Sequence, residues 1–425
     1  MCSLLAIQAS HKKMQTNQNI NQSLLLDYED LIKEIDNIDV KKYAQTRNYL
    51  NGAVSKLSPF ITHGILTTKE ITCLLLKREL ETNSLEVAYR RIEPFIFQMA
   101  WRDYFHRAWE CHNNDIFENL RHEQTGVISH QIPTAILDAQ TGINVIDDQL
   151  SRLYQTGYIH NHARMWIAAL VSNITGTDWR NAASWFHYHL IDGDLASNTL
   201  SWQWVAGTLN KNKKQYVANQ DNINKYANSE QRGTILDCSY DDIKSLMPFK
   251  TGLEKPNQVD YSLRDDWQIT HASSMSIPGS VTTTPINELR LQDELPVFLR
   301  NFYQLDESWN NNAGQHILLI EPSMLIKYPL SEKRWAFIEH WALKIPSLKI
   351  IIADFTDFQE TITHCPNTQI IYRNHPLSQH WHGVIQSRSW LFDGLEGDYP
   401  SFFKFWNKAQ KQINHNGIAN SFELG

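Results

Sequence analysis

The period of hydrophobic positions changes along this chain. Residues 41–235 carry long amphipathic stretches, among them Glu86 to His112 and His162 to Asn173, with no strand-like alternation. That pattern predicts helices. Pro133 and the pairs Thr125-Gly126, Thr141-Gly142 and Thr156-Gly157 punctuate it as turns. From about residue 290 the pattern becomes short apolar runs that end in polar turns: His316 to Pro322, Leu348 to Phe355, Thr368 to Asn374 and Ser389 to Gly394. Amphipathic stretches such as Glu332 to Lys344 separate them, which predicts a parallel α/β sheet. Residues 236–288, with SIPGSVTTTP, read as a linker or long loop. Residues 1–40 read as a polar, Asn/Gln-rich extension ending in a helix near Leu24 to Ile38. The expected order is therefore a mainly α domain over 41–235, then an α/β domain over 289–425.

Composition narrows the function classes. The formal charge is −7 over 425 residues, which argues against a generic polyanion binder. The charge is uneven, however. Lys41 to Glu230 holds 19 basic and 18 acidic side chains, so the acidic excess lies elsewhere. A near-neutral helical domain leaves room for a basic face toward DNA. Five cysteines stand far apart, at positions 2, 73, 111, 238 and 365, with no CxxC pair. They read as reduced thiols of a cytoplasmic protein, and they do not cluster as an iron–sulfur site requires. No run of eighteen apolar residues predicts a membrane span, and the first residues lack the pattern of a signal peptide. His160-x-His162 and His187-x-His189 lie at i,i+2, which face apart on a helix, so no metal site is expected. Lys211, Lys213 and Lys214 are either a solvated run or a contact to DNA phosphate.

The densest chemistry lies between Asn161 and Trp204. Two Arg and three Asp sit there in an apolar, Trp-rich helical region. Buried ions need matched partners, so such a cluster usually surrounds a ligand or a catalytic centre. The pieces in order are Asn161, Arg164 and Met165; Asp178-Trp179-Arg180; Asp192-Gly193-Asp194-Leu195-Ala196-x-Asn198; and Trp202-Gln203-Trp204. This stretch resembles the flavin-binding core of the photolyase/cryptochrome family. The resemblance implies the family's helical FAD-binding domain, here followed by a C-terminal α/β domain with a parallel sheet. It also implies FAD as cofactor, with any second antenna chromophore unknown.

The resemblance carries roles onto particular residues. Val54-Ser55-Lys56-Leu57-Ser58-Pro59 resembles the family's T-S-x-L-S loop, which holds the FAD pyrophosphate. Ser hydroxyls and backbone N–H groups at a helix start suit phosphate. A helix start with Pro in its first turn accounts for the same letters. Val54 replaces the Thr, and Lys56 replaces an Arg, keeping charge without the fork. Tyr43 stands near a family Tyr that reaches the phosphates. By the same resemblance, Asn161 binds the cofactor, and Arg164 and Asp192 form an ion pair beside the flavin ring. Asp194 holds its polar edge, and Asn198 faces its N5. Trp202 and Trp179 match the first two members of an electron-hopping chain. The third falls near Gly126, where no Trp stands, so Trp185, Tyr188 and Trp166 are the candidate substitutes.

The substrate cleft of the family maps to Gln98, Trp101, Arg102, His162, Met165 and Trp204. Aromatic walls there stack on an extruded base, and extrusion is cheapest at a lesion. Two positions depart from the pattern. Gln98 stands where the family has Glu, and His162 where it has Arg. The implied activity is light-driven splitting of pyrimidine dimers, a lyase reaction on damaged DNA. Paired His160 and His162 raise a (6-4) lesion as another substrate. The alternatives are a blue-light sensor acting through a protein partner, and a dark flavoprotein or nucleic-acid-binding module.

The family normally begins with an α/β domain, and here little chain precedes the helical one. Three C-terminal segments resemble that missing domain: IEPSML, IIYRN and YPSFFKFW. The expectation is a rearranged order, helical domain first and antenna-like domain second. No phosphate-cradling Gly loop accompanies it.

Overall fold

The computed structural model describes residues 26–248, 277 and 281–424. The extension before residue 26, Cys2 and most of the linker expected over 236–288 lie outside the described residues.

The first half is helical. Its elements are α1 (Tyr28–Asp36), α2 (Val40–Thr46), α3 (Ser58–Thr62), α4 (Thr68–Leu80), α5 (Leu85–His112), α6 (Asn144–Thr156), α7 (Asn161–Ala169), α8 (Trp179–His189), α9 (Leu195–Ala206), α10 (Gln220–Ala227) and α11 (Tyr240–Leu246). Local chemistry sets several of these boundaries. Thr67 and Glu70 form a capping box at the start of α4. Asp178 caps α8 and Asp194 caps α9 by accepting backbone N–H bonds. Gly157 and Gly207 end α6 and α9 in the left-handed conformation. The amphipathic stretch from His162 to Asn173 is not one α-helix. It changes to a π turn over Leu170–Ile174, and Asn173 then donates to the carbonyls of Val205 and Tyr216 at 2.9 and 2.8 Å.

The second half is a five-stranded parallel sheet of order β3-β2-β1-β4-β5. The strands are β1 (Val297–Arg300), β2 (Gln315–Ile320), β3 (Lys349–Ile352), β4 (Ile370–Arg373) and β5 (Val384–Gln386). Helices α12 (Pro322–Lys327) and α13 (Glu332–Ala342) connect β2 to β3, and α14 (Phe355–Ile362) connects β3 to β4. Helix α15 (Phe402–Asn416) follows the sheet. Alternate residues of β2 serve opposite faces. Ile317 and Leu319 pack with Phe358 and Trp381. Leu318 and Ile320 join a core that runs through α13 into α3 and α5. Among the described residues no helix is long and apolar enough to cross a membrane.

Two strand expectations change. The central strand β1 carries no alternation because it is buried along its whole length, Arg300 included. The run Ser389 to Gly394 forms no strand, and the fifth strand is Val384–Gln386 just before it. Leu391 and Phe392 donate their N–H groups to the Asp103 carboxylate at 3.2 and 3.4 Å, and Arg107 donates to the Phe392 carbonyl at 2.6 Å. Side chains of α5 thus satisfy a backbone that a sheet ladder would otherwise have paired.

The two halves meet at a polar seam around Tyr303, in the loop after β1. Its ring stacks on His63 and His375 at centroid distances of 5.9 and 5.3 Å. Its hydroxyl donates to the Gly193 carbonyl at 3.1 Å and accepts from Arg334 at 3.1 Å. A Cβ on Gly193 would stand 2.7 Å from the His187 carbonyl and 2.8 Å from Arg334 Nη1, so this close approach requires glycine. Burial, reinforced by Arg334, drives His63 down to about 3 and holds His187 well below the ordinary range. Burial and Arg388 do the same to His375. Burial also brings His106, nearby, down to about 4.

These histidines make the fold sensitive to acid. The unfolded chain takes up protons near pH 6.5, and the native seam does not until far lower. Stability is therefore complete above pH 6.5 and is lost as the pH falls. We expect a loss of about 2 kcal/mol per buried histidine between pH 7 and 5. Urea unfolding at both pH values checks this, and equal stabilities would contradict it.

Candidate functional site

Helix α9 packs on both α5 and α7, and α3 lies against the start of α9. Asp192 and Asp194 stand where they meet, both buried. Asp192 accepts from Arg164 Nη2 at 2.8 and 3.0 Å and from the Ser58 hydroxyl at 2.5 Å. Arg164 also donates to the Ile159 carbonyl at 3.1 and 3.0 Å, which fixes its fork. Its guanidinium carbon lies 5.6 Å from the centroid of Tyr158. Asp194 accepts from His106 at 2.8 Å and from the Ser197 N–H at 2.7 Å, and Arg102 lies at 3.2 Å. Burial pushes the Asp194 carboxyl up, but Arg102 and His106 outweigh it and leave it well below the usual carboxylate range.

The residues singled out from the sequence fall into three groups. Arg164, Asp192, Asp194 and Ser58 are brought together, and Arg102 joins them through Thr62 and Ile61 of α3 at 3.5 Å. Asn198 lies one turn into α9 and donates to the Ala183 carbonyl at 2.8 Å. Tyr43 is buried against Phe95 at 5.0 Å, and burial raises its phenol to about 12. Leu57 is buried, Lys56 is exposed with φ of +55°, and the Ser55 hydroxyl accepts from the Leu57 N–H at 3.4 Å. Asn161, the first residue of α7, is exposed.

Trp202 and Trp179 form the second group and share one core. Trp202 meets Phe186 edge-on at 5.1 Å. Phe186 in turn lies 4.9 Å from Trp185. Trp179 donates to Asn119 at 2.8 Å.

The lesion-wall residues form the third. Gln98, Trp101, Met165 and Trp204 are half-buried. Trp101 stacks on Phe402 of α15 at 3.7 Å with planes 8° apart, and Trp204 lies 5.7 Å from Tyr216. His162 is engaged rather than free. Its Nδ1 lies 2.8 Å from the Asn48 carbonyl, and its ring lies 4.6 Å from Trp166 and 4.7 Å from Tyr226. Burial lowers its pKa, so it carries little charge at neutral pH.

His106, Tyr158, Tyr303 and Arg388 were not singled out from the sequence. His106 left a signal, since it follows Arg102 by one helical turn on α5. Tyr303 and Arg388 are brought in by tertiary packing and leave no local pattern.

The arrangement fits a flavin nucleotide. Gln98, Arg102, Arg164, Met165 and Asn198 keep partial exposure, although Ala100, Asp103, Ala163 and Ala196 in the same helices are buried. The Ser197 hydroxyl, beside Asn198, is buried without a hydrogen-bond partner. The cations and carboxylates offer both donors and acceptors to a polar ring edge. Ser58, however, directs its hydroxyl to Asp192.

Residues 95–248 match the family model described as the FAD binding domain of DNA photolyase. A cryptochrome DASH of Natronomonas pharaonis is 30% identical over 197 residues, which are 44% of this chain and 40% of that protein. A deoxyribodipyrimidine photo-lyase of Streptomyces griseus is 32% identical over 169 residues, 39% of this chain and 35% of its own. The crystal structure of a Synechocystis sp. PCC6803 cryptochrome aligns over 49% of this chain and 45% of its own, with 25% identity and a TM-score of 0.43. The chain thus spans 40% or less of the length of these two curated relatives.

Arg164→Ala would leave Asp192 buried with Ser58 as its remaining side-chain partner. We expect a loss of about 3 kcal/mol in stability and at least a roughly tenfold fall in retained flavin. Flavin absorbance per protein after gel filtration checks this. Unchanged flavin content would remove Arg164 from the site.

Proposed function

We propose that this chain, whose residues 95–248 match the FAD binding domain of DNA photolyase, drives electron transfer to damaged DNA under blue light. The observation that carries the proposal is the Arg164–Asp192 pair set beside Asp194 and Asn198. Bound and reduced, FAD supplies a one-electron donor that light can excite.

The protein's own groups define the rest. Arg164 and Asp192 form a fixed ion pair beside the ring. Asp194 would accept from the polar edge of the ring, and Asn198 of α9 would supply an amide beside it. Trp101, Met165 and Trp204 supply the walls for an extruded pyrimidine dimer. Arg102 fixes the Asp194 carboxylate from the same helix that carries Trp101. Trp202, with Trp179 in the same core, would supply an oxidisable indole for resetting the cofactor. The dimer gains one electron, splits, and gives it back, so no net oxidation occurs.

Residues 289–425 are read as the family's α/β domain placed after the helical one. The parallel sheet and the packing of α15 on α5 support that reading.

A light sensor without repair is the second reading. Gln98 and His162 favour it, because both lesion contacts lack the charge found in the family pattern, and His162 is already bonded to Asn48.

The test is illumination of the purified protein with a thymine-dimer oligonucleotide and a (6-4) oligonucleotide, with reductant and dark controls. We expect loss of the thymine dimer in light only. Trp202→Phe should slow photoreduction of the flavin but leave repair by chemically reduced protein intact. Photoreduction with no loss of either lesion would replace repair with sensing.

A further inference from the structure

Asp194 is held by more than the helical half. His106 lies between it and Arg388, a residue of the segment joining β5 to α15. His106 Nε2 is 2.8 Å from Asp194 Oδ2, and Nδ1 is 2.9 Å from Arg388 Nη2. The donors and acceptors allow one assignment. A guanidinium only donates, so Nδ1 must accept. An ionised carboxylate only accepts, so Nε2 must carry the proton. His106 is therefore neutral, with its single proton on Nε2 and aimed at Asp194. Arg388 is kept in place by Glu110, 3.8 Å away, and by the face of Trp390, 4.5 Å from its centroid.

We propose that Arg388 is a positioning residue for the flavin edge, holding His106 in the one tautomer that donates to Asp194. The proposal rests on reading Asp194 as the residue that meets the polar edge of the flavin. Its chemical content is orientation. Without Arg388 the proton of His106 is free to sit on either nitrogen. Placed on Nδ1, it would leave a lone pair facing a carboxylate, and the carboxylate would turn away. Arg102 and the Ser197 N–H would then be left to hold Asp194. The same loop is gripped one residue earlier by the Tyr303 hydroxyl on the Gly193 carbonyl, so two side chains from the C-terminal half act on adjacent residues.

Nitrogen-15 NMR of labelled histidine in the full chain reads the tautomer directly. We expect His106 as the Nε2–H form, retained in Arg388→Lys and lost to a mixture in Arg388→Met. In parallel, Arg388→Met should weaken FAD binding about tenfold and shift the flavin absorption bands. His106→Gln, whose amide both accepts and donates across a similar span, should keep both near wild type, whereas His106→Leu should not. This rescue separates positioning from folding, should Arg388→Met prove unstable. An Nδ1–H or cationic His106 in the wild type would overturn the proposal, as would a tautomer indifferent to Arg388→Met. Because the nitrogen spectrum reports the tautomer independently of flavin, a chain with the Nε2–H tautomer and no affinity for flavin would instead sink the flavin reading.

Discussion

Two carboxylates buried two residues apart, at the start of one helix, dictate how the helical half is put together. Asp192 and Asp194 both leave water, and like charges so close repel strongly in a low dielectric. Each needs its own cation. No single neighbouring element supplies both. Arg164 comes from α7 and a hydroxyl from α3 to meet Asp192, while Arg102 and His106 come from α5 to meet Asp194. Convergence of those helices follows from the charge requirement as much as from their apolar faces. A mismatch at either carboxylate leaves a bare buried ion, which few folds of this size tolerate.

Much of this was legible in the sequence because it is local. Asp178 and Asp194 each cap the helix that they precede, and Thr156-Gly157 ends a segment whose period is plain. The ordered run from Asn161 to Trp204 named the ion pair before any coordinates did. What stayed hidden depends on packing. Strand β1 is central and buried on all sides, so it shows no alternation, and Arg300 at its end disguised it further. The segment after Ser389 looked like a strand because it is apolar, yet Asp103 and Arg107 take its backbone bonds. Tyr303 and Arg388 leave no local pattern and gain their partners only where helix and sheet meet.

The seam between the halves carries more chemistry than a simple packing surface. Apolar contacts through α13 and α15 hold it, but its centre is a set of neutral imidazoles around one phenol and buried guanidiniums. Polar groups in such a place give orientation, because each accepts few partners and few angles. The loop at Gly193 therefore takes its geometry from both halves at once. A change in the sheet's loops reaches the carboxylates through hydrogen bonds, over a distance that apolar packing would blur.

The early and late parts of the chain also close one another. Cys73 Sγ donates to the Phe422 carbonyl at 2.9 Å across 349 residues, and Phe422 is fully buried in the core that contains Leu31. A core assembled from such distant segments has a high contact order, and contacts of that kind form late. During synthesis the first helices leave the ribosome with an apolar face that has no cover for many seconds, since chains grow at roughly 5–20 residues per second. For that interval the fold of the early helices stays incomplete, because the segment that covers them has not yet been made.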